Sequence, residues 1–149
     1  MTGETLFDSF SVFYSMIRPY VKIDEFFMEI RKSIKDVGII DSFSQLKKDD
    51  KGSGLAFEVM FFDDKVIHDL KFTSTSINFS AVPIKNIDSI NIQVFNDQSI
   101  YARPDSATID KLELTIVISG KEPMKLIYST DTNRFSEFIR IKKNLLELL

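Results

Sequence analysis

The chain has 149 residues, enough for one domain with a substantial core. Its net charge is -3, from 19 basic and 22 acidic residues, so the basic field that attracts nucleic acid or an anionic membrane is missing. It contains no cysteine, which removes disulfides, thiolate zinc sites, iron–sulfur clusters and cysteine nucleophiles. In chain order, Glu4 to Ile17 places Leu6, Phe10, Phe13, Tyr14 and Ile17 near helical spacing, and Pro19 ends that pattern. Phe10, Val12, Tyr14 and Met16 also alternate, which makes a strand the competing reading. Lys22 to Val37 predicts a second helix, with Ile23, Phe26, Phe27, Ile30, Ile34 and Val37 on one stripe. Asp24 is placed to cap it and Gly38 to stop it.

Ile39 to Leu46 reads as a transition, and the polar Lys47 to Gly54 (KKDDKGSG) as a loop. From Leu55 the period changes from 3.6 to 2. Leu55, Phe57, Val59 and Phe61 alternate with Ala56, Glu58 and Met60, and Phe62 to Lys65 forms a tight turn. Val66, His68, Leu70 and Phe72 share one face of the next strand, with Asp69 and Lys71 on the other. A turn over Thr73 to Ser76 leads to a strand from Ile77, which Pro83 ends or holds at an edge. Further strands are predicted over Ile87 to Phe95, Gln98 to Arg103, Lys111 to Ser119 and Met124 to Ser129. A polar loop spans Pro104 to Asp110, and a turn spans Ser119 to Pro123. The last element is an amphipathic helix from about Asp131 to Leu149. Its predicted buried stripe is Phe135, Phe138, Ile139, Leu145, Leu146 and Leu149.

This pattern predicts one α+β domain: two N-terminal helices over residues 1–46, then about seven antiparallel strands and a closing helix over 55–149. The short connections favour antiparallel neighbours. The N-terminus lacks the charge pattern of a signal peptide, and no apolar run approaches a membrane span, so a cytoplasmic protein is expected.

Seven short antiparallel strands followed by one amphipathic helix resemble the pleckstrin-homology-like fold. The segment VIHDLKFTSTSINFSAVPIKNIDSINI (Val66 to Ile92), with its run of Pro83, Ile84, Ile87 and Ile90, is similar to bacterial pleckstrin-homology-like and GRAM-like domains. KLIYSTDTNRFSEFI (Lys125 to Ile139) likewise resembles their last strand and helix entry. The resemblance implies a sheet or barrel closed by the helix, used for protein or peptide contact. Phosphoinositide-binding members carry basic residues around the first hairpin; here that loop is Phe62-Asp63-Asp64-Lys65, which disfavours phosphoinositide or membrane binding.

Several residues invite a chemical role. His68, the only histidine, is a candidate base or pH switch, but its apolar strand face also suits a core histidine. Asp63-Asp64 with Asp69, and Asp49-Asp50, offer carboxylates without the spacing of a calcium loop, so turn chemistry is the plainer reading and no metal or cofactor is expected. Lys47-Lys48, Lys142-Lys143, Arg134 and Arg140 hint at a phosphate patch, yet such charges usually solvate a face. The Phe-rich N-terminal segment is the main candidate surface: Phe7, Phe10, Phe13 and Tyr14 either complete the core or meet a partner or a second copy, as in a homodimer. No phosphate loop, nucleophile elbow or zinc-protease motif is present. The expectation is a non-enzymatic protein-interaction domain that does not bind nucleic acid. The alternative is a cystatin-like or nuclear-transport-factor-like curved sheet with a Phe-lined ligand cavity and His68 at its mouth.

Overall fold

A computed structural model describes residues 1–9, 21–48, 55–73, 76–96, 109–128 and 134–149, with the side chains at 21–23, 46–48, 55, 96 and 109–110 left aside. The chain runs α1 (Gly3–Asp8), α2 (Val21–Ile34), β1 (Asp41–Lys48), β2 (Leu55–Phe62), β3 (Val66–Phe72) and β4 (Ile77–Pro83). A single 3₁₀ turn (Ile84–Asn86) follows, then β5 (Ile87–Asn96), β6 (Ile109–Ile118), β7 (Met124–Tyr128) and α3 (Phe135–Leu148). The class is α+β, as the periodicities predict. The closed barrel is not found: the seven described strands form a four-stranded sheet, β1-β2-β3-β4, and a separate three-stranded sheet, β5-β6-β7.

The set of strands also differs from expectation. Asp41 to Leu46 of the predicted transition and the first two residues of the predicted loop form β1, which pairs antiparallel with β2 from Asp41 opposite Phe62 to Lys48 opposite Leu55. Its sequence, DSFSQLKK, is too polar to stand out by hydrophobicity. It is held by the ladder that β2 offers and by Phe43, which is fully buried. The polar 49–54 stretch therefore connects two strands, not a helix and a sheet. The predicted Gln98 to Arg103 strand lies outside the described residues, as do most of the first predicted helix and the helix entry at Asp131 to Asn133.

Two compact units divide the chain, Met1–Ala81 and Val82–Leu149. In the first, α1 begins at a Thr2 cap whose hydroxyl accepts from the Thr5 amide at 3.3 Å. The amides of Gly3 and Glu4 donate to the carbonyls of Val37 and Lys35, at 3.0 and 3.1 Å. The positive end of α1 thus meets the negative end of α2, and each satisfies groups that a helix terminus leaves open. A side chain at Gly3 would put its Cβ 1.8 Å from the Ile34 carbonyl oxygen, so only glycine permits this approach. The same contact explains why α2 stops at Ile34, before the predicted Gly38. Asp24 lies in the first turn of α2 instead of capping it.

Leu6, Phe7, Phe27, Ile30, Ile34 and Ile39 pack with Phe57, Val59, Phe61, Leu70 and Phe72, which share one face of β2 and β3. The opposite face of these strands is buried too: Met60, Phe62 and Ile67 have no exposed surface. The β2–β3 turn falls as predicted, with Asp63 Oδ1 accepting from the Lys65 and Val66 amides at 2.8 and 2.7 Å. The Thr73–Ser76 turn is closed by the Thr73 amide donating to the Ser76 carbonyl at 2.9 Å.

In the second unit β6 is central. Leu112, Leu114, Ile116 and Ile118 are buried, while Lys111, Glu113, Thr115 and Val117 alternate with them on a half-buried face. Both neighbours are antiparallel, with Ile92 and Leu126 flanking Leu114. On the polar face Lys111 Nζ sits 4.1 Å above the Phe95 ring, and Lys111 and Lys125 both approach Glu113. Gly120 supplies the positive φ, 72°, that turns β6 into β7. No described helix is long and apolar enough to cross a membrane.

Candidate functional site

Of the six residues in the predicted buried stripe of the last helix, two are buried and four are exposed. Phe138 and Leu145 are fully buried, together with Ile141, which the prediction omitted. Phe135, Ile139, Leu146 and Leu149 are exposed. At about 100° per residue, Phe138, Ile141 and Leu145 form one stripe, and Phe135, Ile139 and Leu146 form another about a quarter turn away. The helix is apolar over a wider arc than its packing requires. Its first turn is pinned by Arg134, whose Nε and Nη2 donate to the two carboxylate oxygens of Glu137 at 2.7 and 3.3 Å and whose guanidinium covers the Tyr128 ring.

The inner stripe packs α3 against the second sheet, where α3 lies alongside β5. Burial fades along the apolar side of β5: Ile90 is buried, Ile92 half-buried and Val94 37% exposed. Together with the outer stripe of α3, these residues line an open groove of about 640 Å³. Ile92 and Val94 line it from the strand; Phe135, Ile139, Lys142, Lys143, Leu146 and Glu147 line it from the helix. Ile139 is 47% exposed. Among the described residues β5 is the edge of its sheet, with a strand neighbour, β6, on one side only. The alternation Ile90, Ile92, Val94 was readable from the sequence. The exposure was not, because an outer apolar stripe on a helix has the same composition as an inner one.

The other singled-out residues are placed elsewhere. Phe7 is 3% exposed and packs on Phe27 with ring centroids 4.9 Å apart, so it belongs to the core of the first unit. Phe10, Phe13 and Tyr14 lie outside the described residues. His68 stacks between Phe61 at 4.8 Å and Phe79 at 6.1 Å, with Nδ1 buried and unpartnered. Burial lowers its pKa below the usual histidine value, against a smaller opposing pull from Asp63. Asp63 is engaged in the turn. Asp49 and Asp50, and the side chains of Lys47 and Lys48, lie outside the described set. Among the described residues no three His, Cys, Asp or Glu side chains gather in a metal-holding group.

One polar cluster was not anticipated. On the second face of the four-stranded sheet, Gln45, Glu58 and Asp69 are all buried. The Gln45 side-chain amide donates to Glu58 Oε1 at 3.2 Å. Lys71 Nζ lies 3.3 Å from Glu58 and 3.5 Å from Asp69. Burial, reinforced by the Glu58 carboxylate and opposed by Lys71, pushes Asp69 up to about 7. Burial lowers the Lys71 pKa, but the two carboxylates outweigh it and leave the value raised. The strict alternation of β2 and β3 places these residues together; the sequence does not signal that their face is covered. Compared with protein-family models, curated proteins and solved structures, the chain matches none.

Proposed function

We propose that the chain is a non-enzymatic protein-interaction domain of pleckstrin-homology-like arrangement that receives an extended segment of a partner protein at the β5–α3 groove. The observation that carries this reading is the exposed apolar lining, Val94, Phe135, Ile139 and Leu146, set beside the edge strand β5. Apolar surface gathered in a concave site marks an interaction surface better than the same side chains scattered singly. An edge strand adds the complementary feature. Its outward backbone groups can pair with an incoming strand, while alternate side chains of that strand enter the groove.

The reading draws on the element order: six described strands and a C-terminal helix fall in the region of the resemblance, residues 55–149, and β1 precedes it. Of the Phe-rich N-terminal segment, Phe7 lies in the core while Phe10, Phe13 and Tyr14 lie outside the described residues, so the proposal is placed at α3, where the exposed lining is described.

The test compares intact wild-type protein with Ile139→Glu as bait in the native host, with folding of both checked by circular dichroism. The expected result is a protein recovered by the wild type and lost with the variant. Identical recoveries from two folded baits would overturn the reading.

A further inference from the structure

The groove lining is apolar apart from three charged side chains, and their balance indicates what enters. Lys142 and Lys143 both line it, with a single acid, Glu147, nearby. The lining therefore carries an excess of positive charge in a chain whose net charge is -3. Lys142 is half-buried, and a lysine in such a place can lay its alkyl stem along apolar surface while its ammonium reaches water. Lys143 is four residues before Glu147, a spacing that allows an ion pair on a helix, yet the structure forms none there. Elsewhere in the same unit Arg134 is held by Glu137, and Lys111 and Lys125 by Glu113. The two groove lysines thus remain without an acidic partner among the described residues.

We infer that the occupant of the β5–α3 groove is an extended peptide segment that carries a carboxylate next to its apolar anchors, with the carboxylate received by Lys142 and Lys143. This rests on the docking reading above and specifies the partner's chemistry. Alternate apolar side chains of the incoming strand meet Ile92, Val94, Ile139 and Leu146, and an Asp or Glu beside them reaches the ammonium groups. Charge also separates this occupant from a second copy. A two-fold pairing through the same groove would gather four lysines with only two glutamates to offset them. A free lysine pair at the mouth of an apolar groove has a second use as well: it selects against basic segments, which would otherwise fit the apolar floor equally.

The experiment is a selection of random nine-residue peptides displayed on phage against the intact chain. The selected sequences are then synthesised, labelled and measured by fluorescence anisotropy against wild type, Lys142→Glu/Lys143→Glu and Ile139→Glu. All three substituted positions lie on the outer side of α3, so the folds are expected to persist; circular dichroism confirms this before binding is read. The expected result is acidic, apolar-alternating peptides that bind the wild type, bind the double charge reversal at least tenfold more weakly, and do not bind Ile139→Glu measurably. Raising sodium chloride from 50 to 300 mM weakens wild-type binding and leaves the charge-reversed chain little changed. Peptides that need Ile139 but show no acidic preference and no loss with the reversal would overturn the charge inference and leave the docking reading standing. Peptides that bind wild type and Ile139→Glu alike, or failure to select any, would overturn both. Sedimentation showing a wild-type dimer that becomes monomeric with Ile139→Glu would assign the groove to a second copy and overturn the peptide proposal, as would binding confined to anionic phosphatidylserine vesicles.

Discussion

The two sheets of this chain are built from similar residues and treat them differently. In β2 and β3 both faces are buried, and the polar side chains Glu58 and Asp69 are enclosed with the apolar ones. Among the described side chains of β6, Leu112, Leu114, Ile116 and Ile118 are buried, and Glu113 and Lys111 lie on the half-buried face. The alternation in the two sequences looks much the same. The period of a strand tells which residues share a face; it does not tell whether a face is covered. Covering the second face changes the energetics of every polar group on it, because water is no longer available to satisfy them.

That contrast can be broken by mutation. Phe61→Ala in β2 should have the largest effect, a loss of about 4 kcal/mol in urea unfolding, since the ring is fully buried. Gly3→Ala should follow at about 3 kcal/mol, because its Cβ would strike the backbone of α2, whereas Gly38→Ala, with nothing within 4 Å, should change little. Comparable losses from the two glycine variants would show that the joint between α1 and α2 is looser than described.

The buried acid gives an intermediate effect with a definite pH signature. Asp69 has a folded pKa of about 7 against an ordinary value of 3.8. The folded state therefore holds a proton that the unfolded state releases, and this contribution to stability is lost as pH rises from about 4 through 7. His68 acts in the opposite sense: its lowered pKa gives stability that is present above the ordinary histidine value and lost as pH falls through its folded value. Asp69→Asn should remove the first slope, raising stability at pH 8 by about 1–2 kcal/mol while leaving pH 4 nearly unchanged. A variant as pH-sensitive as the wild type between 5 and 8 would show that another group carries that slope. The smallest effects belong to the groove. Ile139→Ser and Val94→Thr, at exposed positions, should each alter stability by less than about 0.5 kcal/mol, which is what makes them clean probes of binding. A loss above about 2 kcal/mol at either would mean that the groove is filled in solution.

Much of the architecture was legible. The β2–β3 turn at Asp63, the end of β4 at Pro83, the β6 alternation and the final helix all follow from local chemistry at named positions. The strand β1 was not, because Ser42, Ser44 and Gln45 give it little hydrophobic signal and its stability comes from a neighbour. The site was less legible still. Ile139 and Leu146 looked like core residues, and Phe7 suited either the core or a partner surface. Their places depend on what packs against each helix, a long-range fact that periodicity does not contain.

One feature of the topology bears on how the chain comes to be folded. Within each sheet every strand lies beside its neighbour in sequence, β1 through β4 and then β5 through β7, and the two units are contiguous, dividing between Ala81 and Val82. Nearly all partners of the first unit have thus been synthesised before the second unit is translated. Low sequence separation between partners favours rapid assembly, and synthesis in order lets the Phe-rich segments around β2 become enclosed while the nascent chain is still growing. The apolar stretch most prone to aggregation, Leu55 to Phe62, is therefore made early and flanked on both sides by the strands that cover its edges.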